Sequence, residues 1–280
     1  MDFKDYMKID GAKPLDKILD DGGYTAIFRS IAVVGDSLAS GEFEATEDGK
    51  TLYIDKYEYS WGQFIARMCG NKVYNFSRGG MTAREYWETW GEANGVWDEE
   101  KKCQAYIIAL GVNDLFWVPG TEMGCLDDID TEDYNNNKDT VVGFYARILQ
   151  RYQQMQPDAK FFIMAMPRIY KDDEELSGEQ KERNEKRKAW PQIIKGMAKM
   201  FKNVYVMDFY ENAPVFDSDF YKFFGLGGHL NPMGYYMVAK MVSTYIDWII
   251  RNNPNDFKTV GFIGTPYKND KVKLIDDEVK

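Results

Sequence analysis

The sequence predicts an α/β fold: a parallel sheet with helices on both faces. Three observations carry this. Five short apolar runs, near residues 30–35, 73–76, 105–110, 160–166 and 204–207, alternate with longer amphipathic stretches. The runs are apolar on both faces, as strands of a covered parallel sheet are. The first three end in turns that carry small polar groups, Ser37, Gly80 and Asn113. In open sheets of this kind, chemistry sits just beyond the carboxyl ends of the strands.

The elements follow in order. Residues 1–29 are a polar lead-in. The first strand, Ile31-Ala32-Val33-Val34, stops at Gly35-Asp36-Ser37-Leu38. Residues 41–56 read as a loop or small hairpin, with Asp48-Gly49 as its turn. A helix over 59–68 places Phe64, Ile65 and Met68 on one side and stops at Gly70-Asn71. Thr82 can cap a helix running through Glu85, Tyr86 and Trp90. Residues 119–138 are an acidic loop; 141–154 form an amphipathic helix stopped by Pro157. The charge run 171–188 reads as a solvated helix face or mobile loop. Helices are expected over 190–201 and 232–250, and Val260-Gly261-Phe262-Ile263 in the tail is expected to pack back.

Composition excludes several classes. The net charge of −10 disfavours nucleic acid and anionic membrane surfaces, which both require a basic face. The three cysteines are widely spaced, with no CxxC or Cys/His metal pattern, so neither a metal nor another cofactor is expected. No signal peptide and no apolar run of membrane-spanning length is seen. The expected location is the cytoplasm, or outside the cell if a leader has been removed.

A serine hydroxyl needs a base to take its proton during attack. The chain has one histidine, His229, in a Gly-rich loop ahead of the last long helix and after the fifth strand. That position allows it to share the rim with Ser37. Attack on an ester carbonyl places negative charge on oxygen, and fixed donors there are worth roughly 3–4 kcal/mol each. The Gly80 N–H, the Asn113 side-chain amide and the Ser37 N–H are the candidate donors. Catalytic candidates are therefore Ser37, His229, Gly80 and Asn113.

These residues resemble a known family. Gly35-Asp36-Ser37-Leu38 is similar to the GDSL signature of the SGNH hydrolases. The stretch from Asn75 to Thr82 resembles the second block through Gly80, and Gly111-Val112-Asn113-Asp114 resembles the third. His229-Leu230-Asn231-Pro232 resembles the last. The resemblance implies a three-layer α/β/α sandwich, with a five-stranded parallel sheet in the flavodoxin-like order 2-1-3-4-5. It also implies a hydrolase domain over 30–251, with insertions at about 83–104 and 115–140, followed by a tail over 252–280. One position departs. The family usually has Asp three residues before the histidine, and here that residue is Leu226. A backbone carbonyl of the 225–228 loop is the favoured substitute. Asp217 or Asp219 could reach in, or the site could be a weak dyad or dead.

Trp87, Trp90, Trp97 and Trp117 lie in the two stretches expected to flank the pocket. Aromatic faces there would stack on sugar rings, unless Trp87 and Trp90 simply pack inward. Acidic rim loops disfavour acyl-CoA or phospholipid by repulsion. The reading is a serine esterase removing small acyl groups, most plausibly acetyl, from a carbohydrate or other small molecule. The alternatives are a lipid esterase or thioesterase of the same mechanism, and a non-catalytic carbohydrate-binding protein on a degenerate hydrolase fold. A flavodoxin-like nucleotide binder lacks a phosphate-cradling glycine loop.

Overall fold

The computed structural model describes residues 13–275. The charged N-terminal segment of the lead-in, before residue 13, and the charged chain end after Ile275 lie outside the described residues. Five strands form one parallel sheet: β1 (Ser30–Gly35), β4 (Lys72–Ser77), β5 (Ala105–Ala109), β6 (Lys160–Ala165) and β7 (Val204–Asp208). Two strands intervene in the chain. β2 (Glu42–Glu47) and β3 (Lys50–Asp55) pair with each other in an antiparallel hairpin outside the sheet. The spatial order is β4-β1-β5-β6-β7. Counted over the sheet strands alone, this is 2-1-3-4-5.

Period-two alternation splits each strand between two cores. Ile31, Val33, Ile107 and Phe162 face helices α2 (Trp61–Cys69) and α8 (Pro232–Asn252). Ala32, Val34, Tyr106, Ile108 and Phe161 face the other layer, built by α5 (Val141–Met155) and α6 (Gly178–Met200). Both faces are dry, which explains why the strands read as continuous apolar runs. Between β4 and β5, Ala83–Glu85, a π-helical turn Tyr86–Trp90 and Gly91–Ala93 form one continuous stretch, α3. Thr82 caps it by accepting from Glu85 N–H.

One helix is longer than its apolar pattern. The sequence places a helix at 190–201, yet α6 begins at Gly178 and runs through Pro191. Ser177 and Gln180 form a reciprocal capping box at its start. The charge run then supplies Glu179–Arg183 and Glu182–Lys186 pairs four residues apart. Helical periodicity of charge, with no apolar stripe, builds that first half.

The hairpin turn is Asp48-Gly49, both at positive φ, as the sequence indicates. Its far end is tied to the strand-end helix α1 (Ser37–Ser40). Ser40 Oγ bonds Asp55, and Lys56 N–H donates to Gly41 O at 2.9 Å. The tail packs as read: Val260 and Ile263 are buried, and Gln104 donates to the carbonyls of Gly261 and Ile263. Among the described residues no helix is long and apolar enough to cross a membrane.

Ile107 lies fully buried in the strand between β1 and β6. Ile107→Ala should cost about 2–5 kcal/mol of stability through the cavity it leaves. Urea unfolding of the variant against the parent checks this.

Candidate active site

Three strand ends meet at the point where successive crossovers diverge. β1, β4 and β5 are neighbours, with β1 in the middle. Ser37 opens α1 directly after β1, with Asp36 as its cap. As the first helical residue it has a free N–H, because the first turn has no intrahelical acceptors. Asn75 of β4 donates to the carbonyls of Ala39 and Ser40 and so fixes α1 to the sheet.

The second strand end carries Gly80. It sits at φ +70, a backbone conformation other residues rarely adopt, and a Cβ there would meet nothing within 4 Å. The residue itself is exposed. The third strand end holds that loop in place. Asn113 Nδ2 donates to Met81 O at 3.0 Å, and both Asp114 carboxylate oxygens accept from Ala83 N–H at 2.9 and 3.1 Å. Asn113 keeps a second amide hydrogen free. The G-x-N-D pattern is thus a clamp on the glycine turn as well as a source of a donor.

His229 lies in a two-residue antiparallel bridge, β8 (Gly225–Leu226) with β9 (His229–Leu230). Its Nδ1 lies 2.7 Å from Glu44 Oε1, which also accepts from Gly228 N–H at 2.7 Å. The orienting group is a carboxylate from the hairpin. This corrects the expectation of a backbone carbonyl. The other candidates are engaged elsewhere: Asp217 caps α7 (Ser218–Phe224) and pairs with Lys171, while Asp219 pairs with Lys171 and Lys222. Leu226 stands beside His229 in the bridge, 43% exposed. Gly227, at φ +64, lets Glu44 approach: a Cβ there would lie 2.1 Å from Glu44 Oε2.

The other imidazole nitrogen faces a second carboxylate. Nε2 lies 3.1 Å from Glu42 Oε1. Each imidazole nitrogen therefore has a carboxylate oxygen within hydrogen-bonding distance. Burial pushes the Glu42 carboxyl above its usual range, against the lowering effect of His229, while Asp55 and Glu44 push the same way as burial. Ser37 Oγ makes no hydrogen bond to His229 in this arrangement. Tyr235 links the two segments, its hydroxyl donating to Glu42 O at 2.6 Å and lying 3.4 Å from Ser37 O.

Ser37, Gly80, Asn113 and His229 all line one cavity of about 770 Å³, together with Glu42 and Glu44. A family model for GDSL-like lipases and acylhydrolases matches residues 33–237, which span all four. The chain belongs to the GDSL-like lipase/acylhydrolase family. Solved structures share the fold of this GDSL-like chain. A family two carbohydrate esterase from Clostridium thermocellum, in complex with cellohexaose, has a TM-score of 0.54 at 15% identity, over 81% of this chain and 65% of that one. Est24, a carbohydrate acetylesterase from Sinorhizobium meliloti, has a TM-score of 0.50 at 16% identity, over 79% and 99%. A Lactobacillus plantarum protein has a TM-score of 0.55 at 15% identity, over 79% and 97%. No curated protein sequence matches the chain.

The aromatic residues divide differently from the sequence expectation. Trp87, Trp90 and Trp97 pack inward with Tyr86, Tyr134 and Tyr152. Trp117 alone of the four lines the cavity, 63% exposed. Tyr53 from β3 lines it too, 62% exposed and edge-on to the His229 ring at 6.0 Å. The acidic loop 119–138 contributes no residue to the cavity wall. Its Asp128 is occupied by Cys125 N–H, Lys138 and Thr140.

Glu42, Glu44 and Tyr53 escaped the sequence reading because the hairpin read as a connection. The available signal was Glu42-Phe43-Glu44 itself: two carboxylates on one face of a strand immediately after the serine.

The site also holds carboxyls at a cost. Burial pushes Asp36 up to about 7 and Asp114 up to about 6. Asp36 Oδ2 is buried without a partner. A carboxyl whose pKa is raised on folding binds a proton that the unfolded chain releases, so stability falls as pH rises. For Asp36 the fall runs from its ordinary 3.8 to about 7 and then stops. Asp36→Asn lacks this slope. Its melting temperature minus that of the parent should become more positive between pH 4 and pH 7, as thermal melts across that range would show.

The lone histidine allows a direct test of Glu44. With ¹⁵N-labelled imidazole, the parent should show Nδ1 protonated. Glu44→Gln, which can donate to Nδ1, should move the neutral ring towards the Nε2–H tautomer.

Proposed function

We propose that this chain is a serine esterase that removes small acyl groups, acetyl first among them, from a carbohydrate through an acyl-enzyme. One observation carries the proposal: Ser37, His229, Gly80 and Asn113 line a single cavity, with the imidazole fixed through Nδ1 by Glu44. For attack, His229 Nε2 exchanges its Glu42 contact for the Ser37 hydroxyl. The proton moves from Oγ to Nε2, and Oγ bonds to the ester carbon. Negative charge on the carbonyl oxygen is met by the N–H groups of Ser37 and Gly80 and by the Asn113 amide. Collapse expels the alcohol, which takes the Nε2 proton. Water then repeats the sequence, with His229 as base again, and releases the acid.

Two features support a sugar as the alcohol. Trp117 and Tyr53 are exposed aromatic residues at the cavity, Trp117 with Arg183 over one face of its ring, and a pyranose ring stacks on such surfaces. The solved structures that share the fold include carbohydrate esterases. An apolar wall that includes Met166, Ile169 and Phe216 is the observation favouring the second reading, a lipid esterase or thioesterase. Acyl-chain profiling separates them: rates should be highest for acetyl, and a preference for eight or more carbons would displace the acetyl reading.

Ser37→Ala should reduce hydrolysis of 4-nitrophenyl acetate by at least about 10³-fold with an unchanged melting temperature. A fluorophosphonate probe should label the parent and not the variant. Retained turnover in Ser37→Ala removes the serine from the mechanism. An unlabelled and inactive parent favours a binding protein on a degenerate fold.

A further inference from the structure

One buried cation faces this cavity without a carboxylate partner. Arg187 of α6 is 7% exposed and lines the same cavity as Ser37. Its guanidinium stacks on Phe116, 4.7 Å from the ring centroid, and one nitrogen donates to Pro167 O at 2.9 Å. A guanidinium has five N–H donors, and among the described residues the hydrogen bond to Pro167 O engages one nitrogen of this one. The charged groups that other buried or half-buried arginines find are missing here. Arg147 has Asp139, Arg168 has Asp172 and Arg251 has Asp247. Around Arg187 stand Tyr170, Tyr210 and Tyr221, and no carboxylate among the described residues pairs with it. The cavity it lines also carries the apolar Met166, Pro167, Ile169 and Phe216.

A buried charge without a carboxylate partner is costly, and a ligand carboxylate would offset that cost. Water is largely displaced here in advance, so an arriving anion meets a charge already desolvated and oriented. Guanidinium geometry suits the two oxygens of a carboxylate. Tyr221, on the same wall and within electrostatic reach of Arg187, has a hydroxyl free to donate as well.

We propose that Arg187, with Tyr221, forms a carboxylate subsite, so that the ester hydrolysed at Ser37 carries a carboxylate group of its own. The inference rests on the esterase reading. The carboxylate has two possible sources: a uronate ring on the alcohol side, or the free end of a dicarboxylic acyl group. In either case the protein's overall negative charge screens out highly charged donors, while one carboxylate is captured locally.

The test compares kcat/KM for matched pairs on the parent enzyme, Arg187→Met and Arg187→Lys. One pair is the acetylated methyl glucuronoside against the acetylated methyl glucoside. The other is ethyl hydrogen succinate against ethyl butyrate. In the parent, one pair should favour the charged member by about ten-fold or more, the range of a charge-assisted hydrogen bond, and the favoured pair identifies the source. Arg187→Met should bring that ratio to about one or below, and Arg187→Lys should retain part of it. A parent ratio of one or below on both pairs, with Ser37-dependent hydrolysis of the neutral members, overturns the subsite and leaves the esterase reading standing. So does a ratio unchanged in Arg187→Met. If no ester is turned over in a Ser37-dependent way, the esterase reading fails, and calorimetric binding of glucuronate and succinate to the parent decides the subsite. Binding that disappears in Arg187→Met sustains it, and no binding overturns it.

Discussion

A single carboxylate oxygen sets the geometry of this site. Glu44 Oε1 bonds Gly228 N–H and His229 Nδ1 at once, across 184 and 185 positions of chain. It fixes the loop, the ring and the ring's tautomer together. Without it, the imidazole would sit in a Gly-rich bridge of two residues per strand, a structure too short to hold a side chain still. The family's usual carboxylate comes from that same loop. Here it comes from the hairpin next to the serine, so nucleophile and base are oriented by one local unit.

That unit is braced at both ends. Ser40 and Gly41 tie the hairpin to α1, Asn75 ties α1 to β4, and Tyr235 of α8 bridges the backbones at Ser37 and Glu42. Asn113 and Asp114 do the same for the Gly80 turn. The bracing puts acidic groups close together in a dry place. Asp36, Asp114 and Glu42 all hold protons more tightly than carboxyls in water do. A buried Asp36 oxygen without a partner is a stability loss accepted at the site, in keeping with the strain that functional regions store.

The cavity lining holds two kinds of residue. Ser37, His229, Gly80 and Asn113 bring the hydroxyl, the imidazole and the amide donors, while Met166, Ile169 and Phe216 are apolar and Arg187 is a buried cation. The hairpin contributes Glu42, Glu44 and Tyr53 to this lining and α6 contributes Arg187.

How much of this was legible beforehand depends on distance along the chain. The five strands, the Asp48-Gly49 turn, the Thr82 cap and the last helix follow from local periodicity and turn chemistry. So does the placement of Ser37, Gly80 and Asn113, because in a parallel sheet the strand ends share one rim by construction. The start of α6 was missed because ion pairs, rather than an apolar stripe, extend it. Glu44 was missed because a carboxylate on a short hairpin has no local signature of its partner, and Trp87, Trp90 and Trp97 turned inward against aromatic partners on α3 itself, on α5 and in the loop before it. Sequence alone determined the fold and the rim on which the site lies, since both rest on short-range patterns. Only tertiary structure decided which carboxylate holds the imidazole and which cation lines the cavity, since both depend on contacts between segments that no spacing rule connects.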